Sequence, residues 1–299
     1  MKFSILIAHF NNAAYFKACY ESIIQQTFTD WEVIIVDDCS KEAEKEALKQ
    51  MISDDSRFFL YENDTNRGTG YTKKRCAELA TGEICGFLDP DDALTPDALE
   101  ESIKAYSKYD IVGTYSRFYL CDEHLAVEKL FPHSGRIKNR SKYFFNINFN
   151  VAHFFTFKRK IYTTTEKIDE TLTSSVDQDL YLKLHEKGNL FFINKSLYLY
   201  RLHAQGISQN KRKKEKLYKN WHTVLYNTLR RRKIKILYKK DVQHIECLPN
   251  FIFEKQNTLF TKFLRKITKG IYSHFVGIKN VSIVSGMSLL APITEALLV

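Results

Sequence analysis

Between Lys2 and Asp92 the chain alternates short apolar runs with stretches of helical spacing, and few folds accommodate that alternation. Lys2–Ala8, Trp31–Val36, Arg57–Glu62 and Glu83–Leu88 read as strands. Ala14–Gln26, Lys41–Ser53 and Tyr71–Ala80 read as the helices between them. In the first helix Phe16, Cys19, Tyr20, Ile23 and Ile24 recur at helical intervals. Nearly continuous apolar strands at this spacing predict an α/β fold, a mostly parallel sheet with helices on both faces. Ligands of such sheets bind beyond the carboxyl ends of the strands. Here those ends carry Ala8-His9, Asp37-Asp38 and Asp89-Pro90-Asp91-Asp92.

The last cluster sets three carboxylates around a proline that ends a central strand. Carboxylates this close repel one another, and a hard divalent cation relieves the repulsion while also taking phosphate oxygens. The plainer reading is a solvated acidic turn before a helix over Leu94–Tyr106, with Thr95-Pro96-Asp97 as its N-cap and Pro at the first position. A dinucleotide fingerprint is absent, because Gly68-Thr69-Gly70 lacks the third glycine and follows a loop.

Farther along, Asp110–Leu120, Ala126–Leu130, Val151–Lys158, Asn189–Ile193 and Leu197–Arg201 read as strands, and Asp177–Lys187 as a helix. Lys216–Arg230 and about Thr258–His274 read as basic helices. The net charge of +10 conceals a division: residues 201–299 hold 20 Lys and Arg against 5 Asp and Glu. Such segregation points to an anionic partner for the tail. The interleaving of Phe263, Ile267, Ile271 and Phe275 with Lys262, Arg265, Lys266 and Lys269 favours an anionic membrane surface. No secretory signal opens the chain. The apolar Val281–Val299 carries Pro292 and Glu295 and reads as a docked or interfacial helix rather than a span. The 6 cysteines form no CxxC pair, which predicts a reducing compartment without disulfides or zinc.

An ordered set of motifs now resembles a known group. Phe3–Asn11, Ser22–Phe28, Trp31–Ser40, Asn66-Arg67-Gly68, Thr81-Gly82-Glu83 and Phe87–Asp92 are similar to the donor-binding half of family 2 glycosyltransferases of the GT-A fold. The likeness covers about residues 1–115 and returns at Val176–Leu180 and Tyr200–His203. It implies an inverting transfer of a sugar from a nucleotide-diphosphate donor, with UDP the expected nucleotide and Mn2+ or Mg2+ the expected cation.

By position, the resemblance gives Asp37 contact with the nucleotide base; Ala8 and Asn11 also fall to the donor nucleotide, and Arg75 to positive charge near its diphosphate. Asp89 falls to the ribose, Asp91 and Asp92 to the metal, and His203 to the metal or phosphates. Asp177 takes the place of the general base, although at a helix start it can equally be an N-cap. Asp38, Asp179, Arg201 and Ser208 stand beside these as further candidates. The family's Glu before the base is Val176 here, which leaves Asp179 as an alternative base. Its Arg-Asn pair on the loop helix is Arg75-Cys76.

These residues fit the chemistry. A diphosphate leaves as an anion that a cation stabilises, and an inverting transfer needs one carboxylate to take the acceptor hydroxyl proton. The expected organisation is a donor half (1–112), an acceptor and base half (113–210) and a basic helical extension (211–299). Acceptor contacts are expected within 113–175, with His153 and Tyr143 as candidates. The expected acceptor is a lipid-linked or cell-surface glycan, and the expected location is the inner face of the cytoplasmic membrane. Competing readings are a sugar nucleotidyltransferase, which would carry a Gly-rich loop where this chain has Ala8–Asn12, and a nucleic-acid binder. No nucleic-acid motif appears, so nucleic acid is not an expected partner.

Overall fold

The computed structural model describes residues 1–204, 214–259 and 261. They fall into two compact units, one ending at Trp221 and one beginning at His222.

The first unit opens with β1 (Phe3–His9), α1 (Ala13–Ile24), β2 (Trp31–Asp37), α2 (Glu42–Ile52), β3 (Phe58–Glu62), α3 (Thr69–Leu79) and β4 (Ile84–Phe87). These strands are parallel and lie in the order β3-β2-β1-β4. Their Val, Ile and Phe side chains explain the placement. Ile5, Ile7, Val33 and Ile35 are fully buried and pack with Phe16 and Leu48 of the covering helices. Each such side chain contributes about 1.5–3 kcal/mol relative to exposure.

Next come β5 (Ala93–Leu94), α4 (Ala98–Lys108), β6 (Gly113–Cys121), β7 (Val127–Leu130), β8 (Thr156–Lys158), α5 (Arg159–Tyr162), α6 (Val176–His185) and β9 (Leu190–Arg201). They extend the sheet beyond β4 in the order β8-β6-β9-β5, with β7 on β6. Here β8 is antiparallel to β4 and β6, β5 is antiparallel to β9, and β6 and β9 run parallel. The architecture is thus the expected α/β fold with a mostly parallel sheet. Strands from both predicted halves share that one sheet.

Two buried features fasten the first unit. Glu32 accepts from Lys2 Nζ (2.6 Å), Ser4 Oγ (2.6 Å), Thr81 Oγ1 (2.7 Å) and the Thr81 amide (2.7 Å), so it joins β1, β2 and the turn before β4. Gly86 lies under an aromatic layer. A Cβ there would come within 2.8 Å of the Phe154 ring and 3.0 Å of the Phe3 ring.

Three elements depart most from the sequence reading. The helix expected from Leu94 begins at Ala98, because Ala93 and Leu94 pair with Leu199 and Tyr198 of β9. Val151–Lys158 is extended in a ladder only at Thr156–Lys158, where pairing partners on β4 and β6 are available. The two strands expected over Asn189–Arg201 are one strand, β9, whose register against β6 shifts on either side of Arg117. A shift of this kind breaks the apolar alternation that sequence reading relies on.

The basic helix expected at Lys216–Arg230 is α7 (Lys214–Arg231). In the second unit the hairpin β10 (Ile236–Leu237) and β11 (Lys240–Asp241) precedes α8 (Leu248–Gln256). Leu225, Leu229, Leu237, Leu248 and Ile252 are buried there. No described helix is long and apolar enough to cross a membrane. The helices expected at Thr258–His274, beyond Thr261, and at Val281–Val299 lie outside the described residues.

Candidate active site

The rim of the site starts where β1 and β2 end in register, His9 opposite Asp37. Asp37 is fully buried. Its Oδ1 lies 2.8 Å from His9 Nδ1 and accepts from Ser40 Oγ, while Oδ2 accepts from the Ser40 amide at 2.8 Å. Burial alone would raise its pKa, but these bonds outweigh it and hold the carboxyl below its ordinary range. Asp38 accepts from Asn63 Nδ2 (2.7 Å) and from the amides of Arg67 and Gly68 (both 2.8 Å). Gly68 has φ of +85°, a conformation that glycine adopts without penalty. The two aspartates therefore lock the loops around 38–41 and 63–68 to the end of β2.

The other predicted donor residues border the same loops. Ala8 pairs with Val36 near the end of β1. Asn11 donates its amide to Ser40 Oγ (2.8 Å) and accepts from the Lys41 amide (2.9 Å). Arg75, on α3, reaches the Glu62 carbonyl (2.7 Å) and Asn63 Oδ1.

At the end of β4 the three carboxylates go to three different places. Asp92 turns inward, 2% exposed. Its Oδ2 accepts from the Tyr198 hydroxyl (2.6 Å) and its Oδ1 from the Arg201 amide (2.7 Å). Burial, with the charges of Asp91 and Asp89 added, pushes its pKa well above the carboxylate range. Asp91 stays partly open, with its Oδ2 2.8 Å from His203 Nε2. Arg201 spans this turn, donating from Nε to the Asp91 carbonyl (2.6 Å), and its guanidinium sits 4.9 Å from the Tyr15 ring centre. Asp89 faces a cavity also lined by Lys73, Phe87, His153, Asp177 and Tyr181.

Lys73 organises that cavity. Its ammonium lies 3.0 Å from Asp89 Oδ1 and 2.9 Å from Asp177 Oδ1, and its side chain is 6% exposed. Burial alone would discharge it, but the charges of Asp177 and Asp89 outweigh that effect and raise its pKa far above the usual lysine value. His153 stacks on Tyr198 with ring centres 4.7 Å apart. Burial depresses its pKa, which favours the neutral imidazole.

Asp177 lies in the first turn of α6, whose cap position is Ser175, and no side chain caps that end. Asp179, the alternative base, is 2% exposed, pairs with Lys183 Nζ (2.7 Å) and accepts from the Asp169 amide (2.9 Å). The fold thus brings Asp89, Asp177 and Lys73 to one cavity and sets Asp91 beside His203. It takes Asp92 and Asp179 into the interior. Tyr143 is not among the cavity's lining residues, and Ser208 lies outside the described residues.

Sequence reasoning missed Lys73, although its signal was present. Lys73, Cys76, Ala77 and Ala80 recur on one face of the helix expected over Tyr71–Ala80. A lysine on an apolar helix face requires a buried partner. The glycines set aside as a failed dinucleotide motif also have a local purpose. A Cβ on Gly70 would lie 2.5 Å from the Leu172 carbonyl oxygen and 2.6 Å from that of Asp169, in the segment leading to α6.

The family model described as Glycosyl transferase family 2 matches residues 4–165. An uncharacterised glycosyltransferase of Methanocaldococcus jannaschii is 31% identical across 72% of this chain and 76% of its own length. Chondroitin synthase of Escherichia coli is 31% identical across 70% of this chain, which spans 30% of that larger enzyme. Among solved structures, S. aureus TarS 1–349 in complex with UDP-GlcNAc superposes with a TM-score of 0.65 at 18% identity, over 77% of this chain and 66% of that one. At that identity the likeness speaks for the fold alone. With the family model spanning more than half of the residues, and the archaeal relative matching most of both chains, this protein belongs to glycosyl transferase family 2.

Proposed function

We propose that this glycosyltransferase moves a hexose or N-acetylhexosamine from a nucleotide-diphosphate sugar, UDP foremost, to a hydroxyl of a cell-surface glycan such as a lipooligosaccharide or capsule. The transfer is a single, inverting displacement. The observation that carries this reading is the cavity where Asp89, from the end of β4, and Asp177, from the start of α6, face one buried ammonium. Such a site offers what the reaction needs: a seat for the donor on the strand ends and a separate carboxylate for the acceptor.

In this mechanism Asp177 accepts the proton of the attacking hydroxyl. Lys73 fixes the direction of that carboxylate and supplies positive charge beside the donor. Asp89 receives the ribose. Asp37, with Ala8, Asn11 and Arg75, shapes the nucleotide's seat through the loops it holds. Asp92 keeps the acidic turn on β9.

Asp91 and His203 offer a carboxylate oxygen and an imidazole nitrogen side by side; the carboxylate suits Mn2+ or Mg2+, while the imidazole fits Mn2+ better than Mg2+, which takes oxygen ligands. Among the described residues no three His, Cys, Asp or Glu side chains form a metal cage. A hard cation held by one or two side chains completes its shell with substrate phosphates and water, so the pair fits that mode of binding. Asp91 and His203 would hold such a cation, which would supply positive charge to offset that on the departing diphosphate.

Residues 1–112 bind the donor, and residues 113–210 receive the acceptor and supply the base. The basic extension from residue 211 holds the enzyme to the inner face of the cytoplasmic membrane. The test is transfer and donor hydrolysis with Mn2+ across a panel of nucleotide sugars, comparing the wild type with Asp91→Ala and Asp177→Asn. Loss of turnover in both variants supports the assignment. Full activity in both overturns it.

A further inference from the structure

From Lys129 to Thr165 the chain holds eight Lys and Arg and no Asp or Glu. The preceding residues, 1–128, hold 13 Lys and Arg against 24 Asp and Glu. Within the basic stretch, Arg136, Lys138, Arg140 and Lys142 occupy alternate positions and are all exposed, while the residues between them are partly buried. The backbone that presents them is fastened. Asn139 bonds the Leu190 carbonyl through Nδ2 (3.0 Å) and the Leu190 amide through Oδ1 (2.9 Å). The Tyr115 hydroxyl donates to the Gly135 carbonyl (2.9 Å). Past the basic positions, Phe144 packs on His185 at the last turn of α6, and Asn146 donates to Gln178 (2.9 Å), the neighbour of Asp177. The segment therefore runs alongside α6 towards the turn that carries the base.

Exposed cations at alternate positions of a fastened backbone suit an anionic polymer more than a neutral one. Resting on the glycosyltransferase reading above, we infer that the Arg136–Lys142 segment is an acceptor-binding flank, and that the acceptor is a glycan bearing carboxylate or phosphate groups along its length.

The test is equilibrium binding of an oligogalacturonate, a glycerol phosphate oligomer and a neutral dextran to the full chain at about 50 and 200 mM salt. Binding of either anionic oligomer but not of dextran, weakened at least tenfold in R136Q/K138Q/R140Q/K142Q and retained in R136K/R140K, supports the inference. Which oligomer binds tells carboxylate from phosphate. Equal binding of the anionic oligomers by the quadruple Gln variant overturns it. So does loss, in that variant, of binding to phosphatidylglycerol vesicles while oligomer binding persists, since that makes the flank a lipid contact. Donor hydrolysis is measured on the same samples. It stays unchanged in the quadruple variant if the fold is intact, and its absence from the wild type tells against the glycosyltransferase reading instead of the flank.

Discussion

Lys73 and Asp177 meet across 104 positions of sequence in an ion pair of 2.9 Å, and the same ammonium reaches Asp89 at 3.0 Å. One buried cation thus connects the end of β4, which presents Asp89, to the helix that presents the candidate base. Removing its charge leaves two carboxylates in a confined space with nothing to offset them. Lys73→Met is expected to lower turnover at least 100-fold and to cost about 1–3 kcal/mol of stability, less than a wholly buried pair because Asp177 is one-third exposed. Lys73→Arg keeps the charge and is expected to retain part of the activity. Urea unfolding alongside initial rates checks both, and wild-type rates in Lys73→Met would remove Lys73 from the site.

The acidic turn gives Asp91 and Asp92 different surroundings that its sequence leaves merged. Asp92→Asn keeps the size and a hydrogen-bonding group where burial raises the carboxyl's pKa and disfavours its charge, so its turnover should stay within about tenfold of wild type. Asp92→Ala should cost about 1–3 kcal/mol, since the Tyr198 hydroxyl and the Arg201 amide lose their acceptor. Asp91→Asn should lose at least 100-fold in turnover with little change in melting temperature. Equal kinetic losses at both positions would contradict this division.

Acid should loosen the first unit through Glu32. Burial acts to raise its pKa, but the bonds from Lys2, Ser4 and Thr81 outweigh burial and bring it down to about 2 from an ordinary 4.5. A depressed carboxyl adds stability above its unfolded pKa and loses it as pH falls through the folded one. About 3 kcal/mol should therefore disappear between pH 4.5 and 2. Unfolding free energies at pH 6 and pH 3 should differ less in Glu32→Gln than in wild type. An identical difference would place the acid sensitivity elsewhere.

Gly70→Ala should be more damaging than its size suggests. Its methyl would press on two backbone carbonyls of the segment before α6, atoms that move only if the segment moves. We expect a loss of about 1–3 kcal/mol together with reduced turnover. Thermal melts and steady-state rates on one preparation test it. An unchanged melting temperature would show that the segment yields freely.

Most of the scaffold was legible in the chain because its first half follows local rules. Continuous Val and Ile runs marked β1 and β2 to within a residue or two, and the polar clusters after them fell on the strand ends. The second half obeys pairing that sequence periodicity does not report. Leu94 looked helical and is a strand residue because Tyr198 lies opposite. The carboxylates were readable in the chain as a set, and their different surroundings were not. Nothing local distinguishes Asp91 from Asp92, since what separates them is Tyr198 and the Arg201 amide, more than a hundred positions away.

The strand order carries one more consequence. Between β4 and β5 in the sheet stand β8, β6 and β9, so a flat sheet would hold β4 and β5 about 19 Å apart. The chain joins them with only Leu88–Asp92, folded into a turn by the bond from the Asp92 amide to the Asp89 carbonyl (3.1 Å). A linker that short and that bent does not cross a flat span. The sheet has to curl until its far edge returns to its middle, and the acidic turn is the clasp that closes the curve. The spacing between the carboxylates of that turn and His203, which follows β9, is therefore set by sheet curvature as much as by the turn. A substitution that flattened the sheet far from any substrate would open the site from behind.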